Sequence, residues 1–339
     1  MKKSDLPLCV DLDGTLIRGD LFFECLLFVL RRRPWKLLLL PLWWFQSRLR
    51  AKHKLADLCD RSVVEPPPPM QQDLVDFIKA ERQDGRSIHL VSASMQSLVE
   101  PLAAATGLFD EVSASETSNL KSREKAEFLA ARYPDGFAYA GNSKDDLAVW
   151  SRCKEAISVN SSPTVQRTAK NQQIEFVRHF GQPPNQFKHL LITFRPSGLL
   201  KNLLIFLPLF TIGAAGAGYL LQFAIGFILL TAATSAAYLF NDLIDLPEDR
   251  LDPVRSNRPL AAGFVTVSFA LLTVVLLVAF SLILAPVISW WFAATIFGYL
   301  LFSALYSVVL QHSPTTRRVA RIFFPVLRVV AGATIVLPL

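Results

Sequence analysis

The chain has 339 residues, 35 Lys and Arg against 28 Asp and Glu, a net charge of +7, a pI near 9.3 and 52% hydrophobic residues. That length predicts about two domains. The positive excess is scattered, with no helix-turn-helix, zinc-ligand or RNA-binding signature, which excludes nucleic acid as the expected partner and favours anionic lipid headgroups or phosphorylated substrates.

Composition divides the chain: residues 1–185 carry 25 Lys/Arg and 23 Asp/Glu, a soluble surface, whereas 186–339 carry ten and five and are otherwise largely apolar. Four cysteines (Cys9, Cys25, Cys59, Cys153) lie far apart without metal-ligand spacing and read as free thiols of a reducing compartment. No apolar run precedes Asp11, so no signal peptide is expected there, and the first domain is expected in the cytoplasm.

The first 160 residues alternate short β-like runs with helical patterns, which predicts a Rossmann-like parallel α/β sheet. Candidate strands are Leu6–Val10, Ser87–Val91, Glu111–Ser113, Phe137–Ala140 and Ala156–Val159. The long insertion between the first two predicts a helical cap over about 16–85. Its apolar runs Leu21–Leu30 and Trp35–Phe45 flank Arg31-Arg32-Arg33-Pro34 and are too short to span a bilayer. They read either as a buried helical pair or as an interfacial hairpin with Trp35, Trp43 and Trp44 at headgroup depth. This domain is expected to occupy 1–180, followed by a linker at 181–189 centred on Gly181-Gln182-Pro183-Pro184-Asn185.

The first strand runs into Asp11-Leu12-Asp13-Gly14-Thr15. Paired carboxyls at a strand's C-terminal end sit where α/β sheets bind ligands. One can attack phosphorus once a cation offsets the repulsion, and the other can protonate the leaving oxygen. Ser92 ends the second strand, Lys125 opens a helix, and Asn142 to Asp146 follow a later strand. In that order the set resembles the haloacid dehalogenase superfamily of phosphatases, over about residues 5–165. The resemblance implies Asp11 as nucleophile, Asp13 as general acid/base, and Ser92 and Lys125 as the phosphate-holding pair, with Lys121 a weaker candidate. It implies Mg²⁺ held by Asp11, Asp13, Asn142 and Asp146, with Asn142 standing where the family usually has Asp and so supplying no charge.

Residues 190–339 predict an all-α polytopic transmembrane bundle of about five helices, near 199–221, 223–240, 264–284, 290–310 and 319–338. The arginine-bearing loops at 241–263 and 311–321 place both on the cytoplasmic side. Every acid of this half lies between Asp242 and Asp252. Asp242, Asp245 and Asp249, three and four residues apart, predict one helical face, with a kink or restart at Pro247. Carboxylates beside Arg255 and Arg258 suit a magnesium-bound diphosphate, with Lys201, Asn202 and Asn241 contributing. Arg195-Pro196 stands at the start of the same half.

The run Asn241-Asp242-x-x-Asp245-x-x-x-Asp249, followed by Arg258-Pro-Leu-Ala-Ala-Gly263, resembles the first aspartate-rich motif of the UbiA superfamily of intramembrane prenyltransferases. That family's bundle has nine helices and a second acidic motif. Here no acid follows Asp252 and Gln311 stands after Tyr306-Ser307 where a Lys is usual, so a fragment or an incomplete enzyme is expected. The fusion resembles decaprenyl-phosphate phosphoribosyltransferase-like proteins, which implies a polyprenyl phosphate or diphosphate lipid and phosphoribosyl pyrophosphate as substrates at the cytoplasmic (inner) membrane. An aromatic-ring prenyltransferase of quinone-type biosynthesis, with an aromatic acceptor, and an inactive membrane anchor carrying an active phosphatase remain alternatives.

Overall fold

The computed structural model describes residues 5–116, 120–194, 196–212 and 217–336. They separate into two units: residues 1–185 with Ala262–Val267, and Gln186–Ala261 with Ser268–Leu339. Arg195, and the stretches 213–216 and 337–339 of two expected membrane segments, lie outside the described residues.

Unit 1 is built on six parallel strands: β1 Leu8–Val10, β2 Ile88–Met95, β3 Glu111–Ser115, β4 Ala138–Gly141, β5 Glu155–Val159 and β6 Phe176–Phe180. Their order is β3-β2-β1-β4-β5-β6, so the winding direction reverses between β1 and β4. A crevice opens at such a reversal beyond the strands' C-terminal ends. The sixth strand was not expected; it alternates half-buried and exposed residues at the sheet edge.

The helices of this unit are α1 Leu21–Arg32, α2 Leu40–Gln46, α3 Arg48–Ala56, α4 Gln72–Gln83, α5 Gln96–Thr106, α6 Arg123–Arg132, α7 Leu147–Trp150 and α8 Pro163–Asn171. Strand periodicity sorts the core. Leu8 and Val10 join Leu74 and Ile78 of α4 and Val99 and Leu102 of α5 in one cluster, whereas Cys9 joins Ala126 and Leu129 of α6 in another. Helix α4 is thus the β1-to-β2 crossover packed on the sheet, and the insertion proper is shorter than the expected cap. Its apolar runs have different fates. Leu21, Cys25, Phe28 and Val29 of α1 are buried, but Trp35, Leu38, Leu42 and Phe45 are 62, 82, 56 and 89% exposed.

Unit 2 contains α9 Gln186–Thr193, α10 Pro196–Lys201, α11 Leu207–Ile212, α12 Ala217–Ile244, α13 Leu246–Leu251, α14 Val267–Leu284, α15 Trp290–Val308 and α16 Pro314–Ile335. The expected linker is therefore helical from Gln186 onward. Among the described residues three helices are long and apolar enough to cross a membrane: Gly218–Ile244, Val267–Val287 and Trp290–Val308. The expected first segment is instead broken into α10, a 3-10 stretch at Asn202–Phe206, and α11. The expected fifth, 319–338, coincides with α16 over 319–335; the helix starts earlier, at Pro314, and carries Arg317, Arg318, Arg321 and Arg328.

At Gly332, α16 approaches the 202–206 stretch so closely that a Cβ would overlap the Ile205 carbonyl oxygen, whereas a Cβ on Gly298 of α15 would meet open space. Gly332→Ala should therefore lower the unfolding midpoint by at least about 5 °C through overpacking. Gly298→Ala, the same change on a free face, should leave it unchanged or slightly raised. Melting curves of the full chain in detergent check the pair.

Candidate functional site

In unit 1 the chain leaves β1 and turns at once. Gly14, at φ +75°, donates its N–H to the Gly19 carbonyl at 2.8 Å, and a Cβ there would overlap the Asn142 amide. Only glycine admits both this dihedral and this approach. The turn leaves Asp11 and Asp13 at the crevice, with Asn142 beside them.

Asp11 Oδ1 accepts from Lys125 Nζ at 2.6 Å, and Thr15 Oγ1 donates to Oδ2 at 3.2 Å. Asp13 accepts from the Leu21 N–H at 2.9 Å and from Ser94 Oγ at 2.6 Å, with Ser92 Oγ at 3.5 Å. Ser92 in turn accepts from the Ser94 N–H at 3.0 Å. Asp11, Asp13, Ser92 and Lys125 thus meet as the sequence predicts. Lys121 does not join them; it lies on the surface, paired with Asp145 at 3.0 Å.

Asp146 departs from its expected role as a metal ligand. Oδ2 accepts from the Asn142 and Ser143 N–H groups and from Ser143 Oγ, and Oδ1 accepts from Tyr139. These four bonds shape the loop that presents Asn142. Tyr139 was missed. Its hydroxyl donates to Asp146 at 2.7 Å and accepts from Lys125 at 3.2 Å, so it bridges the ammonium to a second carboxylate. Ser94 was missed as well. Both sit on strands as residues of no special local signal, and only the sheet order brings them to the crevice.

Burial pushes the Asp11 carboxyl up to about 7 against the pull of Lys125, and Asp13 up to about 6, with Asp20 adding to the push. Burial also opposes the charge on Lys125, yet Asp11 and Asp146 hold that ammonium above its usual range. Among the described residues no three carboxylate, imidazole or thiolate groups converge on a metal. Asp11, Asp13 and the Asn142 amide nevertheless form an all-oxygen donor set, which fits magnesium completed by water and phosphate oxygens. Such an arrangement suits chemistry in which one carboxylate attacks while a neighbouring carboxyl carries a proton near neutral pH.

In unit 2 a cavity of about 960 Å³ opens among α12, α15 and α16. Asn241, Asp245, Glu248, Arg255 and Lys201 line it, as do Arg317, Arg321 and Arg328. Asp245 accepts from Asn241 Nδ2 at 2.8 Å and from Gln311 Nε2 at 2.7 Å, and Ser307 donates to the Asn241 carbonyl at 3.0 Å. Gln311 therefore reaches the acid that a Lys would have paired, but brings no charge.

The three aspartates do not share a face. Helix α12 ends at Ile244 and α13 restarts at Leu246 with Pro247 in its first turn, where a missing N–H costs nothing. Asp242 and Asp249 turn to Arg258, at 3.5 and 2.6 Å, and Asp249 also to Arg255 at 3.0 Å. Neither lines the cavity; Asp245 does, with Glu248, which sequence reasoning passed over. Asn241, Asp245 and Glu248 recur at four and three residues, the spacing that carries the cavity face. Magnesium bridged to a diphosphate fits the oxygens of these three better than the Asp242–Asp245–Asp249 set, because Arg258 already offsets two of the latter. Asn202 is also displaced from its expected role: fully buried, it is bonded to Thr231, Thr234 and Arg328 and does not line the cavity.

A family profile for haloacid dehalogenase-like hydrolases matches residues 8–150, and one for the UbiA prenyltransferase family matches 202–337. The chain is 33% identical over 309 residues to the uncharacterized protein y4nM of Sinorhizobium fredii, covering 90% of this chain and 59% of that one. It is 35% identical over 123 residues to the decaprenyl-phosphate phosphoribosyltransferase of Mycolicibacterium smegmatis, covering 34% of this chain and 37% of that one. The Mycobacterium tuberculosis enzyme of the same name is 33% identical over 138 residues, 39% of this chain and 45% of it. The chain thus spans less than two thirds of these relatives. Among solved structures, a Bordetella pertussis protein of unknown function aligns at TM-score 0.42 and 17% identity, covering 52% of this chain and 97% of that one. An apo phosphoserine phosphatase aligns at 0.36 and 14%, covering 52% and 94%. The chain carries a haloacid dehalogenase-like hydrolase domain followed by a UbiA prenyltransferase family domain.

Tyr139→Phe removes one hydroxyl and both of its bridges. A hydrogen bond to a charged group contributes about 1.5–3 kcal/mol. Turnover of a small phosphate ester should fall roughly ten-fold or more, with the fold retained. Steady-state hydrolysis with magnesium, beside a melting curve, checks this.

Proposed function

We propose that unit 2 transfers a phosphoribosyl group from phosphoribosyl pyrophosphate to a polyprenyl phosphate, and that unit 1 is a magnesium-dependent phosphatase acting on the product. The observation that carries this reading is the cavity of unit 2 in which Asp245 and Glu248 stand beside five cationic side chains. Two carboxylates suit a magnesium-bound diphosphate, and the surplus of cations suits a second anionic substrate. The local likeness to phosphoribosyltransferases supports the same donor and acceptor.

In the transfer, a lipid phosphate oxygen forms a bond to C1 of the ribose. The bond from C1 to the pyrophosphate oxygen breaks, and pyrophosphate leaves with the electron pair. Magnesium bound at Asp245 and Glu248 would supply charge to the departing diphosphate. Arg255 and Lys201 hold its outer oxygens, and Asn241 and Gln311 orient Asp245.

The product carries a 5-phosphate on a lipid-linked sugar. In unit 1, Asp11 attacks that phosphorus and the ester bond to the sugar oxygen breaks, with Asp13 delivering its proton to that oxygen. Lys125 and Ser92 hold the phosphate, Asp11, Asp13 and Asn142 would hold magnesium that would supply charge there, and water then releases phosphate from Asp11. The exposed Trp35, Leu38 and Phe45, flanked by Arg31 to Arg33, fit a substrate that is itself amphipathic. Covalent fusion keeps the second activity at a high effective concentration near the first.

The arginines at 250–258, and those at 317–321 in the first turns of α16, support a cytoplasmic membrane with unit 1 on the cytoplasmic side. A Cys placed at Ser256 should react with an impermeant thiol reagent only from the cytoplasmic face; labelling from outside alone overturns this topology.

Wild type in membranes with polyprenyl phosphate and phosphoribosyl pyrophosphate should form lipid-linked ribose, and Asp11→Asn should accumulate its 5-phosphate. Identical lipid products from both would remove the coupling. Loss of all lipid-linked sugar in Asp245→Asn, with ester hydrolysis unchanged, is expected of a separate transferase site.

A further inference from the structure

Helix α16 carries Arg317, Arg321 and Arg328, four and seven residues apart, and all three line the cavity of unit 2. Those spacings put them on one face, spread over roughly 16 Å of helix. Arg328 is the deepest set, only 2% exposed. Its Nε donates to Asn202 Oδ1 at 2.9 Å, and one terminal nitrogen donates to the Tyr238 and Tyr299 hydroxyls at 3.2 and 3.1 Å. Asn202 is fixed in turn by donating to Thr234 at 2.8 Å and Thr231 at 3.2 Å.

Among the described residues no carboxylate bonds this guanidinium, and every partner it has is neutral. An arginine does not shed its proton, so the charge persists. A charge held out of water is retained only when something compensates it, and in membrane domains such groups mark substrate paths. Asp245, an acid of the same cavity, is bonded to Asn241 and Gln311 rather than to Arg328. The fold uses three neutral groups to aim Arg328 without neutralising it, so the missing negative charge is one that enters with a ligand. Beside it the wall is apolar, with Ala237, Phe324 and Pro325.

We propose that Arg328, tethered by Asn202, Tyr238 and Tyr299, is the seat of the phosphomonoester of the lipid acceptor, with Arg317 and Arg321 lining its approach. This rests on the transferase reading above and refines it. The cavity has two anion positions: the Asp245–Glu248–Arg255 end for a magnesium-bound diphosphate, and the Arg328 position for a metal-free monophosphate whose prenyl chain continues along the apolar wall. A prenyl transfer to an aromatic ring would need only the first, unless the acceptor bore a carboxylate.

The test is ligand-induced thermal stabilisation of the full chain in detergent, with farnesyl phosphate, farnesol and hydroxybenzoate as probes. Farnesyl phosphate should raise the melting midpoint of wild type, and farnesol and hydroxybenzoate should not. Arg328→Met should raise the farnesyl phosphate concentration for half-maximal stabilisation by at least about ten-fold. Arg328→Lys should show a smaller loss, and the KM for phosphoribosyl pyrophosphate should be unchanged in both. Tyr299→Phe keeps the charge, removes one tether and should weaken binding several-fold, which keeps the test open if Arg328→Met does not fold. Unchanged farnesyl phosphate binding in the folded variants overturns the subsite while leaving the transferase reading intact. Wild type that responds to hydroxybenzoate and not to farnesyl phosphate overturns both.

Discussion

A charge withdrawn from water must be met by something, and this chain meets two buried cations and one half-buried one in three ways. Lys125 faces Asp11 directly and Asp146 through Tyr139, so its charge is balanced before any ligand arrives. Arg258, half-buried, stands between Asp242 and Asp249, and Arg255 adds a second ion pair to Asp249. Arg328 meets only an amide and two phenols. Desolvating such an ion carries a penalty of several kcal/mol after relaxation. The first two arrangements offset it internally and fix local geometry. The third leaves it partly unpaid, which is the state of a site waiting for an anion.

The same accounting explains which parts of the sequence were readable. Four of the five expected strands reappear within one or two residues of their expected bounds, because each is an apolar run closed by a turn. β2 starts where expected and instead runs on by four, through Ser92 and Ser94 to Met95. β6 was not readable: Arg178 and His179 interrupt Phe176–Phe180, and an edge strand needs only one buried face. Asp11, Asp13, Ser92 and Lys125 were legible because strand ends in a parallel sheet point to one crevice. Ser94 and Tyr139 were not, since their importance arises from cross-sheet neighbours that no linear spacing encodes.

In the apolar half, the spacing chosen was not the one that shares a face. Helical hydrogen bonds from the Asp245 N–H to Asn241 and from the Asp249 N–H to Asp245 run through the interruption between Ile244 and Leu246. Asp242 and Asp249, seven residues apart, therefore stay on one stripe and meet Arg258, while Asn241, Asp245 and Glu248 form a second stripe that takes the cavity side. Hydropathy likewise marked 199–221 as one segment, whereas Gly332 admits the 202–206 stretch so closely against α16 that the chain there is divided into short pieces.

Two anionic substrates brought together in one cavity repel each other, and the repulsion grows as water is excluded. A reaction between them therefore requires positive charge at both positions, of kinds suited to each. A diphosphate that must depart is best met by a labile divalent ion on a few oxygens, because that ion can leave with it. A monophosphate that must attack is best met by a fixed guanidinium, which orients two oxygens, leaves the third free and cannot be carried off with the product. On the function proposed above, Asp245 with Glu248 supplies the first kind of position and Arg328 the second. The phosphatase-like unit faces the opposite problem: its crevice is acid-rich, and burial already raises both aspartates. A phosphate would enter there alongside a cation, so the proposed chemistry calls for magnesium in both halves while the charge that the protein itself provides differs between them.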